Sequence, residues 1–417
     1  MNNNIVFVYD DTVTPNNLIK KVIGKNSFSE IITQRSTNQD KILEILETAN
    51  NNIEFLNIKT ITELKNLKDQ KDLIFANKTF IHFFSYCIFE SEKELLEILK
   101  KIPFTESNLV SIYKQDILFA VFNNTQEYMT YLDRPIIQYR DLIDEFNMSV
   151  MENINSYSIK SYDNFIRYVS GDFDSRYFNS LQADEYTITK TSIDKVKMER
   201  EHNFYHLLPD YMKSWFVMPY NLSVNDSKAS YTMERYYIPN MAIRWIHNSI
   251  SIIEFEGYIK KIKYFLNLRE KKAVNHSEYK LMQKDIYIDK VKSRHDILKT
   301  KREYEKFDKL IQGGTSYSSI EDIYKKYYET YMNMVEKKPT CDFLCIGHGD
   351  LFFANTLYDP DLELIRFIDP KGALTEQELW MDPMYDIAKL SHSICGSYDF
   401  IINGLYSINY QSNLKLE

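Results

Sequence analysis

The chain is poor in the residues that build linkers, staples and membrane spans. Ten glycines and ten prolines in 417 residues leave no Gly-, Ser- or Pro-rich stretch between domains, so boundaries have to be read from changes of pattern. No internal period repeats. The four cysteines, Cys87, Cys341, Cys345 and Cys395, lie in apolar stretches with no CxxC pair, which argues against a zinc site and for reduced thiols in a cytoplasmic protein. The richest apolar run, "FIHFFSYCIF", is too short to cross a bilayer, and the start "MNNNIVFVYDD" has no basic n-region; neither a membrane span nor export is expected. Basic charge is also lacking: 51 Lys and Arg against 59 Asp and Glu give a net charge of −8, which argues against a nucleic-acid partner. Lysine-rich stretches such as "YIKKIKYFLNLREKK" read as solvated helix faces.

A chain of this length holds more than one core. Residues 1 to about 150 alternate short apolar runs ("IVFVY", "IEFLNI", "DLIFAN", "LVSIY", "ILFAVF") with helical stretches ("DKILEILETA", "EKELLEILKKI"), which predicts an α/β domain. That domain carries no GxGxxG, no P-loop and no glycine-rich, lysine-containing nucleotidyltransferase start. From about Tyr157 to Tyr237 the pattern becomes strands ("FIRYVSGD", "SRYFNSLQ", "EYTITKTS"), one helix ("DKVKMEREHNFYHLL") and strands again ("FVMPYNLS", "SYTMERYY"). Beyond Ile243 come long amphipathic helices. The fold class expected is α+β in three parts: 1–150, a β-rich part over 151–240, and a helical part over 241–417.

One stretch, "CIGHGDLFFANTLYDPDLELIRFIDPKG", combines buried-strand character with polar residues at fixed intervals. "TLY" and "LELIRFI" flank the turn residues "DPD" and predict an antiparallel hairpin. Counting from a turn centred near Asp361 sets Asn355 opposite Phe367 and Asp369 opposite Phe353, so Asn355 and Asp369 come within about 5 to 8 Å of each other. Asp350 lies in the loop just before. An amide oxygen and two carboxylates suit Mg²⁺ better than zinc. The simpler alternative is that Asp350 and Asp369 cap turns.

"HGDLFFAN" resembles the catalytic loop, H-x-D-x-x-x-x-N, of the aminoglycoside phosphotransferase and choline kinase superfamily, relatives of the protein kinases. "FIDPKG" stands where those enzymes have their second metal-binding Asp, and "DPMYDIAKL" resembles the helix opening that follows. The resemblance implies a protein-kinase-like two-lobe fold, a β-rich lobe over 151–240 and a helical lobe over 241–417. It implies that Asp350 orients and deprotonates an acceptor hydroxyl, that Asn355 and Asp369 hold Mg²⁺ on the phosphates of ATP, and that His348 braces the loop. "MDPMYDIAKL" also reads as a capped helix, with Asp382 as N-cap and Pro383 at the first helical position, so Asp382 and Asp386 are assigned to support.

A kinase-like chain needs a phosphate-binding lysine and a glutamate to hold it. Lys190 in "EYTITKTS" and Glu201 on the following helix are the candidates. Phe204, Tyr205 and Leu208 put Glu201 on the apolar face, where a carboxylate needs a partner. "YVSGDFDSRYF" resembles the nucleotide loop, with Gly171 as its single glycine and Ser175 or Arg176 touching phosphate. "TMERYYIP" resembles the hinge, where the backbone of Met233, Glu234 and Tyr236 meets adenine. The acceptor implied is a hydroxyl of a small metabolite: a sugar, polyol or amino alcohol. Pro370-Lys371-Gly372 replaces the aromatic-acidic run of choline kinases and resembles proteins of bacterial surface-polysaccharide clusters; Lys371 is a candidate to meet an anionic acceptor or a phosphate. Two other readings compete: a non-catalytic kinase-like binding module, and an aminoglycoside-resistance phosphotransferase. Residues 1–150 lie outside the resemblance and are candidates for self-association or for binding a partner protein.

Overall fold

In the computed structural model, which describes residues 5–49, 53–67, 78–133, 138–152, 154–171, 179–337, 341–410 and 414–416, the first apolar run becomes strand β1 (Ile5–Asp10). Strand alternation sends Ile5, Phe7 and Tyr9 into one core with Ile81 and Phe83, while Val6 and Val8 enter a second with Phe80 and Phe122. A strand buried on both faces reads as a continuous apolar run. With β2 (Ile53–Ile58), β3 (Thr79–Phe84), β4 (Leu109–Tyr113), β5 (Asp116–Phe122) and β6 (Ser149–Val150) it forms a six-stranded sheet in the order β2-β1-β3-β5-β4-β6. β1 runs parallel to β2 and β3; β5 is antiparallel to β3 and β4. The run weighed above for membrane length supplies β3, and no described helix is long and apolar enough to cross a membrane. The expected strand "DLIFAN" lies outside the described residues.

The structure divides into two units. The first comprises residues 1–176 with the segments Tyr236–Pro239 and Ile243–Ser251; the second comprises Tyr177–Arg235, Asn240–Ala242 and Ile252–Glu417. A boundary near 150 was expected, and the difference has a local cause. "FIRYVSGD", expected as a strand, lies mostly in helix α1 (Tyr162–Val169), capped by the Ser161 hydroxyl. Tyr162, Phe165, Ile166 and Val169 recur at helical spacing, and that period overrides the strand preference of their aromatic and β-branched side chains. All four pack on the first unit's core. A short strand just before, Ser156–Ser158, pairs antiparallel with Cys87–Phe89 and ties this segment to the same unit.

The second unit opens with a four-stranded antiparallel sheet, β7 (Asn179–Ala183), β8 (Thr187–Ser192), β9 (Pro219–Val224) and β10 (Ala229–Glu234), in the order β7-β8-β10-β9. Helix α2 (Lys195–Leu207), capped by Asp194, packs its Met198 against Ala229 and Tyr231 of β10. Long helices follow, among them Ile252–Leu268, α3 (Lys290–Lys299) and Ile320–Lys337. Strand β11 (Phe343–Ile346) then leads to a hairpin of β12 (Thr356–Asp359) and β13 (Leu364–Phe367), and helix α4 (Tyr385–Ile394) comes after it. Phe367 packs on Phe265 with ring centroids 4.7 Å apart, so the hairpin is seated on the Ile252–Leu268 helix. The four cysteines are all free; Cys87 and Cys345 are buried, whereas Cys395 is exposed rather than in apolar surroundings.

Phe165 is fully buried in the first unit. Phe165→Ala should therefore destabilise the first unit's unfolding transition by about 3 to 5 kcal/mol in denaturant titrations of the intact chain, and a loss below about 1 kcal/mol would place α1 outside that core.

Candidate functional site

Lys190 stands on β8 and is 3% exposed. An ammonium so placed is tolerable only with charged partners. Its Nζ lies 2.7 Å from Glu201 Oε2 on α2 and 2.8 Å from Asp369 Oδ1 beyond β13. Register supplies a fourth member: Tyr231 of β10 is directly opposite Lys190 and donates its hydroxyl to Glu201 Oε2 at 2.8 Å. Burial works against all three charges. It raises the Glu201 carboxyl, which Lys190 only partly offsets; the neighbouring carboxylates hold Lys190 above its ordinary value, and Lys190 holds Asp369 below its own. Asp369 has a left-handed backbone, φ +54°, a conformation that Asp tolerates better than most residues.

The "HGD" turn is held from below by a buried carboxylate. Asp386 on α4 accepts from the backbone N–H of His348 (3.0 Å) and of Gly349 (2.8 Å), and from Arg269 Nη1 (3.1 Å). Arg269 also donates Nη2 to the Pro383 carbonyl at 3.0 Å. Gly349 has φ +79°, and a Cβ there would sit 2.5 Å from the Lys371 Cβ, so this position needs glycine. His348 is fully buried and stacks on Phe216 at 5.8 Å. Its Nδ1 accepts from Asp350 N–H (3.1 Å) while Nε2 donates to the Ile368 carbonyl (2.9 Å), the pattern of a neutral ring. Burial pushes its pKa below the usual histidine value. The imidazole thus ties the residue before Asp369 to Asp350.

Asn355 donates its amide nitrogen to the Asp350 carbonyl at 2.9 Å, leaving its oxygen for another partner. The hairpin register differs from the expected one by a single residue: Thr356, not Asn355, is opposite Phe367, and Asn355 is level with Ile368, whose N–H donates to its carbonyl at 3.1 Å. The closing pair is Asp359 with Leu364, so the turn is centred between Asp361 and Leu362, and Glu363 takes φ +50° to close it. Helix α4 likewise begins later than expected, with Met384 as N-cap. Asp382 accepts from Met384 N–H at 2.8 Å and from Tyr279 Oη at 3.1 Å.

Lys190, Glu201 and Asp369 therefore meet, and His348, Asp350 and Asn355 share one hydrogen-bonded loop. Met233 lines a small cleft together with Glu201, Tyr231 and Asp369. Glu234 is exposed at the end of β10. Of the other nucleotide-loop and hinge candidates, Gly171 and Tyr236 belong to the first unit. Gly171, with φ +72°, follows α1 and donates its N–H to the Tyr168 carbonyl, so it terminates a helix of the first unit. Ser175 and Arg176 lie outside the described residues. One partner went unrecognised in the sequence: Lys389 on α4, whose Nζ is 2.9 Å from Asp350 Oδ1. It stands three residues after Asp386, the spacing of one helix face, which was the available signal.

The donor chemistry fits Mg²⁺. Asn355 offers an amide oxygen, and the Asp369 side chain, 42% exposed, keeps its second oxygen available. Among the described residues no three His, Cys, Asp or Glu side chains form a metal-binding cluster, so an all-protein cage is not on offer. Two oxygens, with water and phosphate completing the shell, are what Mg²⁺ commonly takes. Comparison of the chain with models of known protein families and with curated proteins gives no match.

Asp386→Ala should cost about 3 to 5 kcal/mol in denaturant unfolding, because it strands the buried Arg269; a loss under about 1 kcal/mol would show that the loop is anchored elsewhere. His348 sets a pH dependence. Its folded pKa is depressed, so its contribution is complete above the unfolded value of about 6.5 and declines as the pH falls from there toward the folded value. The stability difference between the wild type and His348→Gln should shrink between about pH 7.5 and about pH 5, and parallel curves would mean that the ring takes up a proton in the fold.

Proposed function

We propose that the second unit is an ATP- and Mg²⁺-dependent kinase that transfers the γ-phosphoryl group to a hydroxyl of a small metabolite, with β7–β10 and α2 as the small lobe of a protein-kinase-like fold and the later helices as the large one. The observation that carries this reading is the Lys190 ammonium held between Glu201 of the helix and Asp369 of the loop. A buried lysine fixed by a helix glutamate, next to a carboxylate with a free oxygen, is what phosphoryl transfer requires of a small lobe and its metal loop.

In this reading Lys190 binds nucleotide phosphate, and Asn355 and Asp369 would hold Mg²⁺, which when bound neutralises charge on the phosphates. Asp350, half-exposed beside them, orients the acceptor hydroxyl. As the hydroxyl oxygen bonds to the γ-phosphorus, the bond from that phosphorus to the bridging oxygen of ADP breaks, and the hydroxyl proton passes to Asp350. His348, neutral and doubly hydrogen-bonded, keeps the Asp350 backbone in register with the Asp369 segment. A place in the supply of bacterial surface polysaccharide rests on the resemblance of the C-terminal motifs alone.

Two substitutions separate this chemistry from turn-capping. Asp350→Asn should leave the fold and ATP affinity nearly intact while transfer falls by at least about 10²-fold, the lower range for a positioned base. Asp369→Asn should weaken Mg²⁺-dependent nucleotide binding as well as turnover. Melts, nucleotide titrations and initial rates check both; a modest stability loss of about 1 kcal/mol in each, with unchanged rates, is what capping alone predicts.

A further inference from the structure

Helix α4 holds the loop at two points on one face. Asp386 takes the His348 and Gly349 N–H groups, and Ser393, two helical turns further on, accepts the Phe353 N–H at its hydroxyl oxygen, 3.1 Å away. Phe353 opens the short 3₁₀ turn that ends at Asn355. Next to Ser393, on the short helix Tyr398–Ile402, is Asp399. Both residues are fully buried, and among the described residues neither Asp399 carboxyl oxygen has a hydrogen-bond partner. The Ser393 hydroxyl and the residue's own N–H approach it, and they offset only part of the burial that raises the carboxyl above its ordinary value. Among the described residues no cation offsets the rest. Lys389 of α4 is paired with Asp350, and His392 of α4 lies against Tyr398 with ring centroids 5.9 Å apart. Tyr258 of the Ile252–Leu268 helix, the remaining ionisable group that faces Asp399, is a buried hydroxyl with no hydrogen-bond partner among the described residues.

We infer that Asp399 is a neutral carboxylic acid in the folded protein and that, through Ser393, it is a positioning residue for the turn that presents Asn355. A fully buried carboxylate with neither a cation nor a set of donors is the costliest state open to this side chain, and taking up a proton removes the charge. The neutral acid carries one O–H donor and one carbonyl acceptor. Ser393 accepts from Phe353 with its oxygen and keeps its hydrogen for that carbonyl. The turn is thereby fixed to α4 by neutral groups, in contrast to the charged Asp386 anchor beneath His348 and Gly349. The protonation of Asp399 is independent of the kinase reading; the consequence for Asn355 as a Mg²⁺ ligand rests on it.

Two measurements on the intact protein test this. The first compares the stability of the wild type and of Asp399→Asn, a neutral side chain of the same shape, in denaturant titrations between about pH 5 and about pH 9. With a folded value above the ordinary one of about 3.9, the contribution of Asp399 is complete below that pH and is lost as the pH rises toward the folded value. The stability of Asp399→Asn relative to the wild type should therefore increase steadily from about pH 5 to at least about pH 7. Parallel curves over that range, or a wild type that gains on the variant, mean an ionised Asp399 and overturn the inference. The second measurement is calorimetric titration with a non-hydrolysable ATP analogue, with and without Mg²⁺. Ser393→Ala leaves the Phe353 N–H without its acceptor and should cut the Mg²⁺-dependent gain in affinity by about fivefold or more, with Mg²⁺-free affinity unchanged, whereas Asp399→Asn should keep the gain. An unchanged gain in Ser393→Ala, or its loss in Asp399→Asn, overturns the positioning role. A wild type that binds no nucleotide removes that role together with the kinase reading and leaves the protonation result standing.

Discussion

The second unit is organised around one buried ammonium. Lys190 is out of water, and an unpaired charge there would cost several kcal/mol, so every element that touches it has to bring a compensating group. Helix α2 turns its apolar face inward and carries Glu201 on it. Strand β10 pairs with β8 in the register that puts the Tyr231 hydroxyl on the same carboxylate. The hairpin of β12 and β13 ends where Asp369 closes the group from the other side. The sheet, the helix and the hairpin are thus tied together by electrostatics as much as by the Met198, Ala229 and Tyr231 packing behind them.

A second buried charge does the equivalent work for the loop. Asp386 gathers two backbone N–H groups and a guanidinium, and through them fixes where His348 and Gly349 lie relative to α4. His348 passes that constraint on in two directions, to Asp350 and to the Ile368 carbonyl. Asp350 pairs with Lys389 through one oxygen, and Asn355 uses its amide nitrogen on the Asp350 carbonyl. Both side chains are consequently left with oxygens that the fold does not consume.

Much of this was legible in the sequence where a local period carried it. The i, i+3, i+7 pattern around Glu201 put that residue on the buried face, and the apolar run at Ile5–Tyr9 reads as a doubly buried strand. Reading failed where propensity and period disagreed, as in α1, whose aromatic and β-branched residues suggested a strand although their spacing was helical. It also failed by one residue in the hairpin, because the register depends on turn length and on a positive φ at Glu363, which composition does not reveal. Arg269 is 117 residues from Asp386, and no local pattern could have paired them. Lys389 carried a helical-spacing signal but was hidden among many solvated lysines.

The most direct test of the central claim is calorimetric titration of the intact chain with a non-hydrolysable ATP analogue, with and without Mg²⁺, alongside Lys190→Met. The account predicts saturable binding that strengthens with Mg²⁺ and is lost or severely weakened when Lys190 is replaced, in a variant shown by melting to remain folded. Absence of nucleotide binding under every metal condition, or binding indifferent to Lys190, would contradict it.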